Sequence, residues 1–218
     1  MSWSETQPLL WDALKETLQM VGWSALFTVL IGLPIGPLLV LTDKGGLLAN
    51  VVANKALGTV VNVGRSLPFI ILLIAITPFT RAVMSTTIGV DAAIVPLAVG
   101  AIPFFARLVE TAVREVDKGL VEASQAMGAS HLTTIGKVLL PESLPALVAG
   151  LTTTVIVLLG YSAMAGAVGG GGLGDLAVRY GYQRFENGVM IATVVLLVVL
   201  VQIVQWLGDF AAKRLAHR

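Results

Sequence analysis

The chain has 218 residues, 56% hydrophobic and only 12% charged, with a mean hydropathy of +0.88. These values lie outside the soluble globular range and point to a membrane protein. A net charge of +1 with no basic stripe excludes a nucleic-acid footprint, and the lack of cysteine excludes disulfides, thiolate catalysis and Cys-ligated metals.

Residues 1–16 carry Glu5, Asp12 and Glu16 without a basic n-region, so they do not read as a signal peptide. Trp3, Trp11 and Trp23 fit an interfacial aromatic belt. A spanning helix needs about 20 mostly apolar residues. Charge-free runs at Thr17–Thr42, Ser143–Gly174 and Asn187–Gly208 meet that length. Two shorter runs, Ser66–Thr80 and Ala92–Ala106, meet it when their ends extend into the interface, with Arg65 snorkelling to the cytoplasmic surface. The expectation is five spans near 17–41, 57–80, 89–107, 142–167 and 188–208, in one domain covering 1–218. There is no internal repeat of the kind secondary transporters show, and no linker.

Between the third and fourth expected spans, residues 108–141 mix charge with apolar positions. Leu120, Val121, Ser124 and Met127 recur near helical spacing, which predicts a short amphipathic helix. Glu122 reads as a first-turn carboxylate and Gly128 as the left-handed residue closing the helix. Ala123, Ser124 and Ala126 are small enough for a partner to approach the backbone. Pro141, beside Glu142, reads as a first-turn residue of the next span. The other reading of this stretch is an ordinary interfacial hairpin.

Basic residues set the orientation. Lys44, Lys55, Arg65, Arg107, Arg114, Lys118, Lys137, Lys213, Arg214 and Arg218 fall on one side. Lys15, Arg81, Arg179 and Arg184 fall on the other. The richer side, holding 108–141 and the C-terminus, is expected to be cytoplasmic, with the N-terminus outside.

No nucleotide site is present: the one Gly-Lys pair is Gly136-Lys137, followed by Val138 rather than Ser or Thr. Gly169 to Gly174 satisfies G-x-G-x-x-G but follows a helical run rather than a strand, and reads as a flexible external turn. Gly32-x-x-x-Gly36 and Gly166-x-x-x-Gly170 are weak helix-contact patterns. His131 and His217 have no ligand partners at metal spacing and read as exposed loop or tail residues. No acidic or His side chain is expected mid-span, which argues against a proton relay and for an external energy source.

The stretch Glu122-Ala123-Ser124-Gln125-Ala126-Met127-Gly128, then nine residues, then Val138-Leu139-Leu140-Pro141, resembles the EAA loop of ABC-importer permeases. In that family a Glu-Ala-Ala triplet precedes a Gly and a later apolar-x-Leu-Pro. Ser124 departs from it at the third position. Arg65-Ser66-Leu67-Pro68-Phe69, Gly160-Tyr161-Ser162-Ala163-Met164 and Ala167–Gly174 look like the methionine-importer permeases, and the likeness covers roughly 15–215. The resemblance implies an all-α polytopic protein of the bacterial inner membrane with the type I ABC-importer permease fold. It implies a homodimer in the lipid bilayer, two copies of a cytoplasmic ATP-binding subunit, and an external substrate-binding lipoprotein. It implies methionine import by alternating access, with no cofactor and no catalytic residue in this chain. Glu122, Ala123, Ser124, Met127, Gly128, Leu140 and Pro141 would form the coupling loop.

Tyr161, Ser162 and Met164 lie between Gly160 and Gly166. Two readings stay open for them: lining of a central pathway, with Met164 as a flexible thioether gate, or core packing. Two rivals to methionine import also stay open. One is a permease of the same class for another small amino acid or organic anion. The other is a membrane scaffold or small channel with no ATPase.

Overall fold

The structure, a computed structural model, describes residues 3–216; His217 and Arg218, and the side chain of Trp3, lie outside the described part. Among the described residues there is helix and no strand. The elements are α1 (Trp3–Leu41), α2 (Val51–Ser66), α3 (Phe69–Ala75), α4 (Thr77–Met84), α5 (Val90–Arg114), α6 (Lys118–Ala126), α7 (His131–Thr134), α8 (Leu140–Ala165), α9 (Gly172–Leu176) and α10 (Asn187–Ala216).

Ser4–Leu41, Val90–Arg114, His131–Gly170 and Asn187–Ala216 are each long and apolar enough to cross a membrane. α2 and α3, bent by 104° at the break between them, are together long and apolar enough to make a broken fifth span or a re-entrant loop. The stretch 57–80, expected as one helix, is broken because Pro68 disfavours the helical region for Leu67, which takes ψ 125°. Ile76 breaks the run again before α4.

α1 and α5 form the spine. They run in the same direction, since Gln19 meets Asp91 at one end while Gly36 lies against Val109 at the other. A Cβ on Gly36 would stand 2.4 Å from Val109, so the helices approach to backbone contact there. α8 packs antiparallel to α5, enclosing Met20, Leu97, Ala101, Leu158 and Ala165. α10 lies outermost, with Ile191, Val195, Val199 and Trp206 exposed, as a helix facing lipid requires. Trp11 and Trp23 are exposed on α1.

The glycine-rich segment is not a flexible turn. The Gly172 amide donates to Glu16 Oε2 at 2.7 Å and the Leu173 amide to Thr17 Oγ1 at 2.9 Å. Leu173 is fully buried, with Leu176 and Val189 beside it. The segment is pinned against α1.

Candidate functional site

The expected coupling helix is α6, and its ends are built by local chemistry. Asp117 caps it by accepting from the Gly119 amide at 2.8 Å. At the other end Gly128 takes φ +81°, its amide donates to Gln125 O at 2.8 Å, and the Ala129 amide donates to Ser124 O at 3.1 Å. That pair of reversed bonds closes a helix through a left-handed residue. Glu122 is therefore in the second turn, and Asp117 holds the N-terminal position expected of it.

Ser124 does not face outward. It is buried, and its hydroxyl pairs with that of Thr134, also buried, at 3.1 Å. The departure from the Glu-Ala-Ala triplet is thus an internal tie between α6 and α7. The exposed face carries Glu122, Ala123, Gln125 and Ala126. Met127, at the end of α6, is 82% exposed, and Leu132 in α7 is 81% exposed.

Pro141 stands in the first turn of α8, as expected, but the helix continues into it from α7. From His131 to Ala167 the backbone is helical, before Val168 and Gly169 leave the helical region, and the turn Ile135–Leu139 is widened, with the Leu140 amide donating to Ile135 O. Pro141 has no amide for the preceding turn, and one wider turn absorbs that loss. Leu140 is half-buried and Pro141 exposed. Residues 108–141 therefore contain the end of α5, α6, and the first turns of the rod that becomes α8.

An ion-pair network lies above α6. Glu110 is 4% exposed and accepts from Arg107 Nη1 and from Arg114 Nε, the latter at 3.0 Å. Arg107 also donates to Asn62 Oδ1, and Arg114 to Asp43 Oδ2, each at 2.8 Å. The Arg114 hydrogen bond and the Lys44 amide hold the Asp43 carboxyl below its usual 3.8. The network ties α5 to α2 and to the turn after α1. An acidic group thus sits in the final turns of α5, which runs past the expected end near 107, and two guanidiniums neutralise it. The signal was Arg107-x-x-Glu110-x-x-x-Arg114, helical ion-pair spacing.

On α8 the three expected pathway residues separate. Ser162 is 2% exposed and donates to Leu159 O at 2.8 Å, so it belongs to the packed side. Met164 is exposed on the stripe that includes Thr153 and Gly160. Tyr161 is half-buried and stacked on Phe69, ring centroids 4.1 Å apart and 4° from parallel.

The family of binding-protein-dependent transport system inner membrane components matches residues 29–217. The chain is 53% identical to the probable D-methionine transport system permease protein MetI of Vibrio cholerae, over 96% of this chain and 93% of that protein. It is 48% identical to the methionine import system permease protein MetP of Bacillus subtilis, over 96% and 94%. Its fold superposes with TM-score 0.95 and 49% identity on a chain of the inward-facing MetNI methionine ABC transporter, covering 99% of each. The chain belongs to the family of binding-protein-dependent transport system inner membrane components.

Proposed function

We propose that this chain is the membrane-spanning subunit of an ATP-driven methionine importer, and that it works as a homodimer. The observation carrying this reading is the likeness along 99% of both chains to a subunit of a methionine ABC transporter. Two cytoplasmic ATP-binding subunits hydrolyse the nucleotide, and an external lipoprotein delivers substrate. α6 offers the ATP-binding subunit an exposed face around Ala123 and Met127, rigidly capped at both ends. Its movement passes through the Ser124–Thr134 hydroxyl pair into the helical rod beginning at His131. That rod carries Met164, about 50 Å away at 1.5 Å per residue, so a tilt at one end displaces the other. Tyr161 and Met164 line the pathway. The N-terminus is outside and α6 and the C-terminus are cytoplasmic.

The test is uptake of labelled methionine by the permease reconstituted with an ATP-binding subunit. ATP should drive uptake only when supplied on the side of residue 130, reported by a Ser130→Cys variant as the only thiol. ATP-dependent uptake of a different amino acid in preference to methionine would move the reading to another member of the class. Failure of an ATP-binding subunit to co-purify would favour a scaffold or channel.

A further inference from the structure

Arg65, expected towards the cytoplasmic end of its span, stands near the far end of α2. α2 begins at Val51, so Arg65 lies fourteen residues along the helix, about 21 Å from its start. It lines a cavity with Gly100 and Phe104, which flank the midpoint of α5, Val90–Arg114. The side chain is therefore level with the midpoint of α5, a helix long and apolar enough to cross the membrane. Among the described residues no carboxylate or carbonyl meets its guanidinium at hydrogen-bonding distance, while Arg107 and Arg114 are both paired. A charged group at that depth is costly unless it faces water or a partner.

Two further features define the surroundings. Lys55, Thr59, Asn62 and Ser66 are all exposed and recur at helical spacing on one side of α2. A polar helix face through the membrane interior lines an aqueous route rather than lipid. Beside Arg65 the cavity, about 250 Å³, is walled by Leu67, Phe69, Leu72, Phe104 and Tyr161. One cation at the rim of an aromatic pocket suits a small molecule with a carboxylate at one end and an apolar, polarisable group at the other. An Arg fork matches carboxylate geometry, and a thioether packs well on ring edges.

We infer that Arg65 and this cavity form an intramembrane station for the translocated amino acid. The carboxylate rests on Arg65, and the side chain lies against Phe69, Phe104 and Tyr161. The inference rests on the reading of the chain as an amino-acid importer. The break at Leu67–Pro68 serves this station: it ends α2 at Ser66, one residue past Arg65, and Phe69 beyond it forms part of the cavity wall.

The chain's lack of cysteine allows a direct test. A Leu67→Cys variant, assembled with its ATP-binding subunits, places one thiol at the cavity rim; Phe104→Cys places one on the opposite wall and serves if the first fails to assemble. The rate of labelling by a small methanethiosulfonate is measured against methionine and against methionine amide, which lacks the carboxylate. Methionine should slow labelling and the amide should not. Arg65→Gln should raise the half-protecting methionine concentration about tenfold or more, the range for one hydrogen bond to a charged group, and Arg65→Lys by less. Equal protection by the amide, or undiminished protection in Arg65→Gln, overturns the station. So does absence of protection at concentrations that support uptake. In that last case the importer reading stands, because uptake is measured separately. Protection by another apolar amino acid, with no methionine uptake, keeps the station and overturns the methionine reading.

Discussion

Single residues differ in how much of their role is written locally. Gly128 was legible because a helix end is closed by a few neighbouring backbone bonds, and the positive φ at that position follows from them. Replacing it with Val puts a β-branched residue in the left-handed region at roughly 1–2 kcal/mol. We predict that Gly128→Val weakens co-purification with the ATP-binding subunit by about tenfold while membrane insertion persists, and that Gly128→Asn, which tolerates that conformation, does so far less. Normal substrate-stimulated ATP hydrolysis by the Val variant would refute the role of α6. Ser124 and Ser162 were not legible in the same way. Both are small and polar, and which side of a helix is buried depends on what packs there; Thr134 and the Leu159 carbonyl decide it. Arg65 was misplaced for a related reason. Its depth follows from where α2 begins, and the charge-free run starting at Ser66 hides a helix that begins at Val51.

At the scale of elements, each of the three longest hydrophobic runs lies largely within a long helix, but α1 begins at Trp3 and the helix carrying the run from Ser143 begins at His131, because amphipathic turns extend a helix beyond its apolar run. Breaks and junctions were harder. Pro68 was visible in the sequence, but whether a proline kinks a span or ends it depends on the partners of the freed backbone groups. The junction between α5 and the turn after α1 rests on Glu110, buried between Arg107 and Arg114. Removing the carboxylate leaves Arg107 without a counter-charge and Arg114 with Asp43 alone, and breaking a buried pair costs about 3–5 kcal/mol. Both arginines are partly exposed, so Glu110→Ala should fall near the low end of that range. We predict a lower thermal midpoint for the detergent-solubilised Glu110→Ala permease, with Glu110→Gln losing less because it keeps an acceptor. Asp43 adds a pH dependence. Its folded value lies below 3.8, so its contribution is present above the ordinary aspartate range and disappears as acidification passes below it. Asp43→Asn should abolish that acid-side component alone. A Glu110→Ala midpoint equal to the parent's would show that the network holds nothing together.

At the scale of the molecule, the long rod from His131 to Ala165 joins the exposed loop at one end to Met164 near the other. Gly160 on the same face has open space where a side chain would stand, so a second copy can approach closely there. A pathway at such an axis closes on one side as it opens on the other, and its population shifts with nucleotide occupancy. Two Met164 side chains facing each other would form its narrowest apolar point, with Tyr161 held behind them by its stack on Phe69. We therefore predict that a Met164→Cys permease, carrying no other thiol, crosslinks to its twin in one nucleotide state and much less in the other. Met164→Ala should change methionine uptake while assembly with the ATP-binding subunit persists. If Met164→Cys never crosslinks in any nucleotide state and Met164→Ala transports normally, the exposed stripe of α8 faces lipid, and the dimer axis lies on another helix. The exposed polar face of α2 would then be the first place to look for it.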